Sequence, residues 1–402
     1  MNAVPDHDSE DQALHGIEWE SLEVPMEYSS THTSTGVEHE SIDEISQPFD
    51  PERIDVITRN PTIDLLLSRI RDDMIDLAPD FQRAAGIWNL NNQSKLIESL
   101  LLRIPLPTFY AAENKNGVWV IVDGIQRLTT IASFIEPESL GRRPLTLQNL
   151  TYLGQYNGLR FEDLPGRLRT RLRETELVVH LIRPGTPEAV KFNIFTRINT
   201  GGLPLSRQEL RHALIPGPAR ILLRELAESV PFRRATDQSI KSERMDDREM
   251  VLRFIAFLLI DDIAAYDHRD FDGFLRSAMS SINVLSPDKI DQIRTDFRRA
   301  MDASTNIFGQ YAFRKRSRHN KRWRLPINKA LFEAISVNLA KRSDEDLHVL
   351  TARRDRIQEG LSGLLLNDSQ FERAISVGTG DPSKIRDRFA AVDKLVREVE
   401  SA

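Results

Sequence analysis

The sequence predicts a mixed α/β protein in which a sheet-containing domain is followed by a mostly helical domain. Short β-rich runs alternate with amphipathic helical periods up to about residue 215. Beyond that point nearly every stretch carries apolar residues at helical spacing, whereas the first residues have no sustained apolar period. We therefore expect a disordered acidic leader over 1–47, an α/β domain over 48–215 and a helical domain over 216–402.

Composition restricts the class of protein. The 402 residues are 40% apolar and 28% charged, which is typical of a globular chain. Cysteine is absent, so disulfides and thiolate metal sites are excluded, as suits a reducing cytoplasm. The first residues do not resemble a signal peptide, and the most apolar run, Phe254–Ile260, is too short to cross a bilayer. We expect a soluble cytoplasmic protein without membrane contact.

The net charge of −6 conceals an asymmetry. Residues 1–50 hold thirteen Asp and Glu and no Lys or Arg, which leaves 47 acidic against 54 basic residues and a charge of +7 for the rest. A basic body can approach nucleic acid or triphosphates. The leader is then either a solubilising tail or a segment that competes with these anions for the same surface.

The α/β domain is predicted element by element. Pro marks the start of the first helix, Asn114–Gly117 forms a hairpin turn, and Ser206 caps the last helix. The predicted helices are Pro61–Arg71, Asn92–Arg103, Gln126–Ile135, Pro187–Arg197 and Ser206–Leu214. The predicted strands are Met74–Leu77, Thr108–Glu113, Gly117–Val122 and Thr175–Ile182. Helical periods follow over 218–230, 245–265, 270–281, 287–306, 327–341, 344–362 and 382–400.

The sharpest motif is a strand followed by Asp-Gly and a helix. An apolar strand delivers Asp123 and Gly124 at its carboxyl end, and the helix starts at once. Gly124 permits close backbone approach, the helix start offers free N–H groups, and Arg127 can reach phosphate oxygens. Asp123 can hold a divalent cation or orient water. The alternative is an ordinary turn, because Asp-Gly is common in turns and Asp is a common helix cap.

Two further motifs are polar loops. Asn199–Gly202 lies between two predicted helices and can present backbone N–H groups to an anion, although a glycine helix C-cap gives the same pattern. Pro79–Arg83, with Trp88 nearby, places Gln82 and Arg83 beside large apolar residues, where a plain surface loop is the alternative.

A basic run indicates nucleic-acid contact. Residues 314–324 pack seven Lys and Arg, one His and one Trp into eleven positions. Cations neutralise phosphates and Trp323 can stack on bases, although a solvated basic face is the alternative. The predicted DNA-binding residues are Arg314, Lys315, Arg316, Arg318, Lys321, Arg322, Trp323 and Arg324. A second arginine cluster, Arg167–Arg173, is interpreted as a solvent-facing helix.

Taken together, the motifs resemble the N-terminal domain of GmrSD-type, modification-dependent restriction systems, whose fold is similar to the ParB and sulfiredoxin group. The late segment Phe371–Gly380 with Arg388-Phe389 resembles the family's closing segment, so the resemblance spans about 54–392. The matching residues are Pro79–Arg83, Trp88, Arg103–Pro107, Val122–Thr130 and Phe195–Arg211.

The resemblance implies binding and hydrolysis of a nucleoside triphosphate, with Mg²⁺, coupled to recognition or cleavage of DNA in anti-phage defence. It implies Asp123, Gln126 and Arg127 as catalytic residues, with Asp123 as the Mg²⁺ ligand. The implied nucleotide-binding residues are Gln82, Arg83, Gly124, Arg127, Asn199, Thr200, Gly201, Gly202, Gln208 and Arg211.

Two departures from the family pattern matter. Ile125 replaces a Gln, which either alters nucleotide use or simply places an apolar residue towards the core. No His-Asn-His nuclease pattern follows, so cleavage would need a partner nuclease subunit or nicking by the α/β domain itself. The alternative function is a non-catalytic DNA-binding regulatory module with a degenerate nucleotide site. The oligomeric state, including a homo-oligomer, stays open.

Overall fold

The computed structural model describes residues 36–38, 54–77, 88–198, 205–315 and 325–402. Its first part is built on one five-stranded mixed sheet with the order β1-β5-β3-β4-β2. The β1–β5 and β3–β4 pairs are antiparallel, and the β5–β3 and β4–β2 pairs are parallel. The strands are β1 Val56–Arg59, β2 Ile75–Asp76, β3 Phe109–Glu113, β4 Trp119–Asp123 and β5 Val179–Ile182.

Six helices accompany this sheet among the described residues. The first begins after Thr62, whose side chain accepts from the Leu65 N–H, and the sixth begins with a capping box between Ser206 and Glu209. The helices are α1 Ile63–Arg71, α2 Leu90–Leu101, α3 Ile125–Ile135, α4 Gly166–Glu174, α5 Glu188–Ile198 and α6 Arg207–Leu214.

The two faces of the sheet carry different cores, because side chains of a strand alternate between faces. On one face, Ala111 and Ile121 lie in the apolar cluster that includes the buried sides of α1, α2, α3 and α4. On the other face, Val122 and Ile182 pack with Phe195 of α5 and with a residue of α6. The central strands are therefore buried on both faces, as their continuous apolar runs predict.

Beyond residue 215 the described chain is helical and has its own apolar core. Together with the sheet, this confirms the predicted mixed α/β class followed by a mostly helical part. The helices are α7 Pro218–Ala227, α8 Val230–Ala235, α9 Asp246–Leu258, α10 Phe271–Ile282, α11 Pro287–Phe308, α12 Lys329–Ala340, α13 Asp344–Ala352, α14 Arg354–Asn367, α15 Ser369–Ser376 and α16 Pro382–Ser401. In the described part of the chain, no helix combines the length and apolar character that a membrane span requires.

Several boundaries differ from the sequence prediction. Strand β1 was not predicted, because it lies at the sheet edge and only Ile57 is half-buried, which leaves no alternation to detect. The strand predicted over Thr175–Ile182 is shorter, since only its last four residues join the sheet. The helix predicted over 344–362 is two helices, because Arg353 leaves the helical backbone region at φ −102° and ψ 24°.

The two parts pack against each other. Arg220 of α7 donates to Asp76 of β2 at 2.8 Å, and the Arg276 guanidinium of α10 lies 4.9 Å from the centre of the Phe192 ring. The short segment 36–38, which falls inside the stretch expected to be disordered, pairs with the helical part. Glu38 N donates to the Ile327 carbonyl at 2.8 Å.

Candidate functional site

The candidate site is the junction at which β4 passes into α3. Gly124 has φ +91°, a left-handed conformation that glycine adopts without a steric penalty. A Cβ atom at Gly124 would also collide with the ring of Phe109. Two independent constraints thus require glycine here, and they let the chain turn directly from the strand into the helix.

Arg127 lies one helical turn after Asp123 and forms an ion pair with it at 2.9 Å. Its guanidinium also donates to the Pro107 carbonyl and, at 3.2 Å, to the Thr108 carbonyl, and it stacks 4.4 Å from the centre of the Phe109 ring. Burial lowers the pKa of Arg127, and the neighbouring carboxylate of Asp123 opposes that shift. The Arg127 side chain is only 11% exposed. Arg127 therefore fastens the segment before β3 to the start of α3. Because its guanidinium is already engaged, it does not present the free phosphate-binding group that the sequence suggested.

Asp123 is the more accessible member of the pair. Its side chain is 37% exposed, and one carboxylate oxygen accepts from Arg127. Among the described residues, no group of three or more His, Asp and Glu side chains gathers as a metal site. A cation at this junction would have Asp123 as a protein ligand, with oxygens of water or of a substrate completing its coordination.

The first turn of α3 explains the two motif residues between Asp123 and Arg127. Ile125 is 3% exposed and belongs to the core, which confirms the interpretation that this position faces the core. Gln126 is different. Its side-chain Nε2 is buried and has no hydrogen-bond partner within the described ranges. Leaving a buried donor without a partner costs about 1–3 kcal/mol of folding free energy. A bound oxygen that accepted from Gln126 Nε2 would remove this cost.

Topology sets the surroundings of the junction. Because β2 runs parallel to β4, Leu77 leaves the sheet at the same end as Asp123. The motif residues Gln82 and Arg83 follow Leu77 along the chain but lie outside the described residues, as do Asn199, Thr200, Gly201 and Gly202. The structure does not test these six predictions.

The other two predicted nucleotide contacts, Gln208 and Arg211, lie in α6 and are each 1% exposed. Arg211 donates to Gln208 at 2.8 Å, to Glu249 of α9 at 3.0 Å and to Asp272 of α10. The guanidinium of Arg211 is thus enclosed between the two parts of the molecule. The Gln208 Nε2, like that of Gln126, has no partner among the residues that the structure describes.

The carboxylates around Arg211 continue into a buried network. Glu249 also accepts from Arg253 and from Lys329, each at 2.9 Å. Burial alone would raise the pKa of Glu249, but Lys329, Arg253 and Arg211 hold it well below its usual value. We call this buried network at the contact between the two parts the junction network; it is separate from the Asp123 junction. Arg211, Glu249, Arg253 and Lys329 belong to it. Its remaining members are Asp272, Arg276, Glu333 and Arg388.

The basic run is only partly described. Arg314 is 2% exposed and donates to the carbonyl of Leu325 at 2.6 Å and to Ser239 Oγ at 2.8 Å. This burial corrects the expectation of a DNA contact at Arg314, whose guanidinium stabilises the fold. Lys315 pairs with Glu38 at 2.7 Å. The remaining predicted DNA contacts lie outside the described residues: Arg316, Arg318, Lys321, Arg322, Trp323 and Arg324.

One feature was not predicted from the sequence, namely a cleft lined by arginines of the helix that was interpreted as solvent-facing. Arg167 and Arg171 of α4 line this open cleft with Arg103. The four-residue spacing of Arg167 and Arg171 was a signal that they share one helix face, but the cleft itself requires residues about 65 positions apart in sequence.

Comparison with known families gives one match. Residues 63–216 match the family described as GmrSD restriction endonuclease, N-terminal domain. The match begins at α1 and ends just before α7, so it includes the Asp123 junction but neither the basic run nor the resemblance suggested for Phe371–Gly380. Neither a curated protein nor a solved structure matches the chain.

Proposed function

We propose that the protein is a nucleoside-triphosphate-hydrolysing component of a DNA restriction system, because residues 63–216 match the N-terminal domain of the GmrSD restriction endonuclease family. Restriction is the function that the family's description names. Nucleotide hydrolysis, its coupling to DNA and its role against phage go beyond that description and rest on the Asp123 junction.

The observation that carries the proposal is the buried Gln126 Nε2, which has no partner among the described residues and lies three positions after the accessible carboxylate of Asp123. Gly124 lets the strand turn directly into α3, whose first N–H groups suit a phosphate. Gln126 would donate to a phosphate oxygen or to the attacking water. The site therefore offers donors for an anion and one carboxylate within a single helical turn.

Hydrolysis would proceed by attack of water on the terminal phosphorus. A bond forms from the water oxygen to phosphorus, the bond to the bridging oxygen breaks, and the water proton passes to Asp123 or to solvent. Mg²⁺, when bound, supplies charge neutralisation of the phosphates. One carboxylate is enough for it, because Mg²⁺ is commonly held by one or two carboxylates together with substrate phosphates. Arg127 would position Asp123 and steady the segment that contains Pro107 and Thr108.

The decisive experiment measures phosphate released from each of the four ribonucleoside triphosphates with Mg²⁺, with and without duplex DNA. We expect release by the full chain, strong loss in Asp123→Asn and Gln126→Ala, and no change in Gln155→Ala, which removes an exposed amide. Retained folding is checked by circular dichroism. Wild-type turnover in Asp123→Asn would reduce Asp123 to a residue of the strand–helix junction.

A non-catalytic, DNA-binding regulator is the second candidate, and the engagement of Arg127 with Asp123 and two carbonyls favours it. Such a protein would bind a triphosphate by calorimetry without releasing phosphate. Cleavage would then come from a partner nuclease subunit. Incubation with supercoiled plasmid tests whether the protein nicks DNA alone, since a nick converts the supercoiled form to the relaxed circle.

A further inference from the structure

An open cleft of about 740 Å³ lies between α4 and the segment that follows α2. Three arginines line it, namely Arg103 from that segment and Arg167 and Arg171 from α4. Arg103 and Arg167 are exposed and Arg171 is half-buried. We call this surface the arginine cleft.

Local structure explains why these side chains reach the cleft. In α4 the buried positions are Leu168 and Leu172, so Arg167 and Arg171, which are also four residues apart, share a different face. Arg103 follows the end of α2 with φ +61°, and the next residue, Ile104, donates back to the Ser99 carbonyl at 2.8 Å. This tight turn holds Arg103 at the edge of the cleft.

The charges of the three arginines are uncompensated by ion pairs with the described residues. By contrast, Arg173 of the same helix pairs with Asp64 at 2.6 Å and with Glu136 at 2.8 Å. Glu174 and Glu176 also line the cleft, but neither forms an ion pair with its arginines in the described chain. Three cations therefore face two carboxylates, and the cleft keeps a positive excess available to an anion.

The cleft adjoins the Asp123 junction through the sheet. Its lining includes Leu106, which lies just before β3, and Leu177, which lies just before β5. These two strands are parallel, so both segments lie at the sheet end where antiparallel β4 finishes at Asp123. The carbonyls that Arg127 binds, those of Pro107 and Thr108, come directly after Leu106.

We propose that the arginine cleft binds the sugar–phosphate backbone of duplex DNA. Arginine is suited to phosphate recognition, and most protein–DNA hydrogen bonds go to the backbone. A free nucleotide fits the cleft less well, because small-ligand sites enclose most of the ligand whereas this cleft is open and Ile104 at its edge is 49% exposed. The inference rests on the proposed restriction function for the choice of DNA as partner, but it does not depend on nucleotide hydrolysis.

The test compares two double variants of the full chain. Arg167→Ala with Arg171→Ala removes two cleft charges, whereas Arg143→Ala with Arg169→Ala removes two exposed charges outside the cleft. Alanine is well tolerated on exposed helix faces, and thermal unfolding verifies that each variant folds. Binding of a fluorescent 20-base-pair duplex is measured by anisotropy at several salt concentrations, without nucleotide.

We expect the cleft variant to bind more weakly, with the log–log salt slope reduced by about 1.8, which is about 0.9 for each lost phosphate contact. The control variant should keep the wild-type slope, and Arg167→Lys with Arg171→Lys should restore most of it. Equal slopes for the cleft variant and the control would overturn the proposal. So would a cleft variant that loses triphosphate affinity instead of duplex affinity. Absence of duplex binding by the wild-type chain also overturns it, while the phosphate-release assay still decides hydrolysis separately.

Discussion

Two sets of arginines in this molecule differ in what holds their charge. In the junction network, Arg211 and Arg253 are each 1% exposed and Arg388 is fully buried, and each meets carboxylates of other helices. In the arginine cleft, Arg103, Arg167 and Arg171 face an open surface without ion pairs to the described residues. Buried charges must be paired, since desolvation costs several kcal/mol per ion. The first set therefore stabilises the contact between helices, and only the second has charge to offer a ligand.

Arg211 links helices across the junction network. Its position in the family pattern suggested a nucleotide contact, but its guanidinium joins α6 to α9 and α10. Through Glu249 and Glu333 the same network continues to α12 and α16. The last helix of the family-matched segment is thus fixed to the helical part by buried ion pairs.

The largest expected effect is on the junction network. Glu333→Ala removes the shared partner of Arg253, bonded at 2.7 Å, and of Arg388. Loss of one side of a buried pair leaves uncompensated charge, so we expect the free energy of unfolding to fall by about 3–5 kcal/mol. Urea denaturation measures this, with the exposed Glu359→Ala as control. A loss no larger than that of the control would remove the distinction between the two arginine sets.

Arg127 combines features of both sets. It is paired like the arginines of the junction network, but it lies at the candidate ligand site. Arg127→Ala should lower the free energy of unfolding by about 1.5–3 kcal/mol, as expected for bonds from a charged donor. It should also abolish triphosphate binding, since it releases Asp123 and the segment before β3. Urea denaturation and titration calorimetry measure the two effects. Intact triphosphate affinity in the destabilised variant would make Arg127 purely structural.

His212 is a titratable residue of α6, next in sequence to Arg211 of the junction network. It is 1% exposed, and burial, followed by the charges of Arg220, Arg248 and Arg224, lowers its pKa to about 3. The unfolded chain binds this proton near pH 6.5, so folding loses stability as the pH falls from about 6.5 towards 3, by at most about 1.4 kcal/mol per pH unit. His212→Gln should flatten this dependence in unfolding measured at pH 7 and pH 5. An unchanged difference between the two pH values would contradict the assignment.

The smallest expected effect is that of the acidic leader on duplex binding. Glu38 accepts from Lys315 at 2.7 Å and from Asn328 at 2.6 Å, which anchors the acidic leader to the helical part. Deleting residues 1–47 removes negative charges that can compete with DNA, so duplex binding should tighten at low salt by up to about 1 kcal/mol. Anisotropy at two salt concentrations measures the change. Gly36→Ala is the control, because its Cβ would collide with the Ser239 carbonyl and loosen the anchor while keeping every charge.

Local patterns in the sequence predicted the elements that surround the candidate site. The apolar run before Asp123 identified β4, Asn114–Gly117 identified the hairpin to β3, and Ser206 identified the start of α6. These features depend on side-chain period, turn chemistry and capping, all of which act over a few neighbouring residues. The junction of Asp123 and Gly124 was predicted for the same reason.

Only the tertiary structure decided what the arginines do. The sequence shows Arg127, Arg211 and Arg314 as cations within motifs, but their partners are set by the packing of distant segments. Arg211, for example, meets Asp272 of α10, 61 positions later. Conversely, Arg103 and Arg171 share a cleft because α2 and α4 pack together and the segments before the parallel strands β3 and β5 lie side by side. The sequence by itself determined where the charges lie along the chain, whereas burial and long-range pairing determined which of them remain free, because the energy of a charge depends on its surroundings in three dimensions.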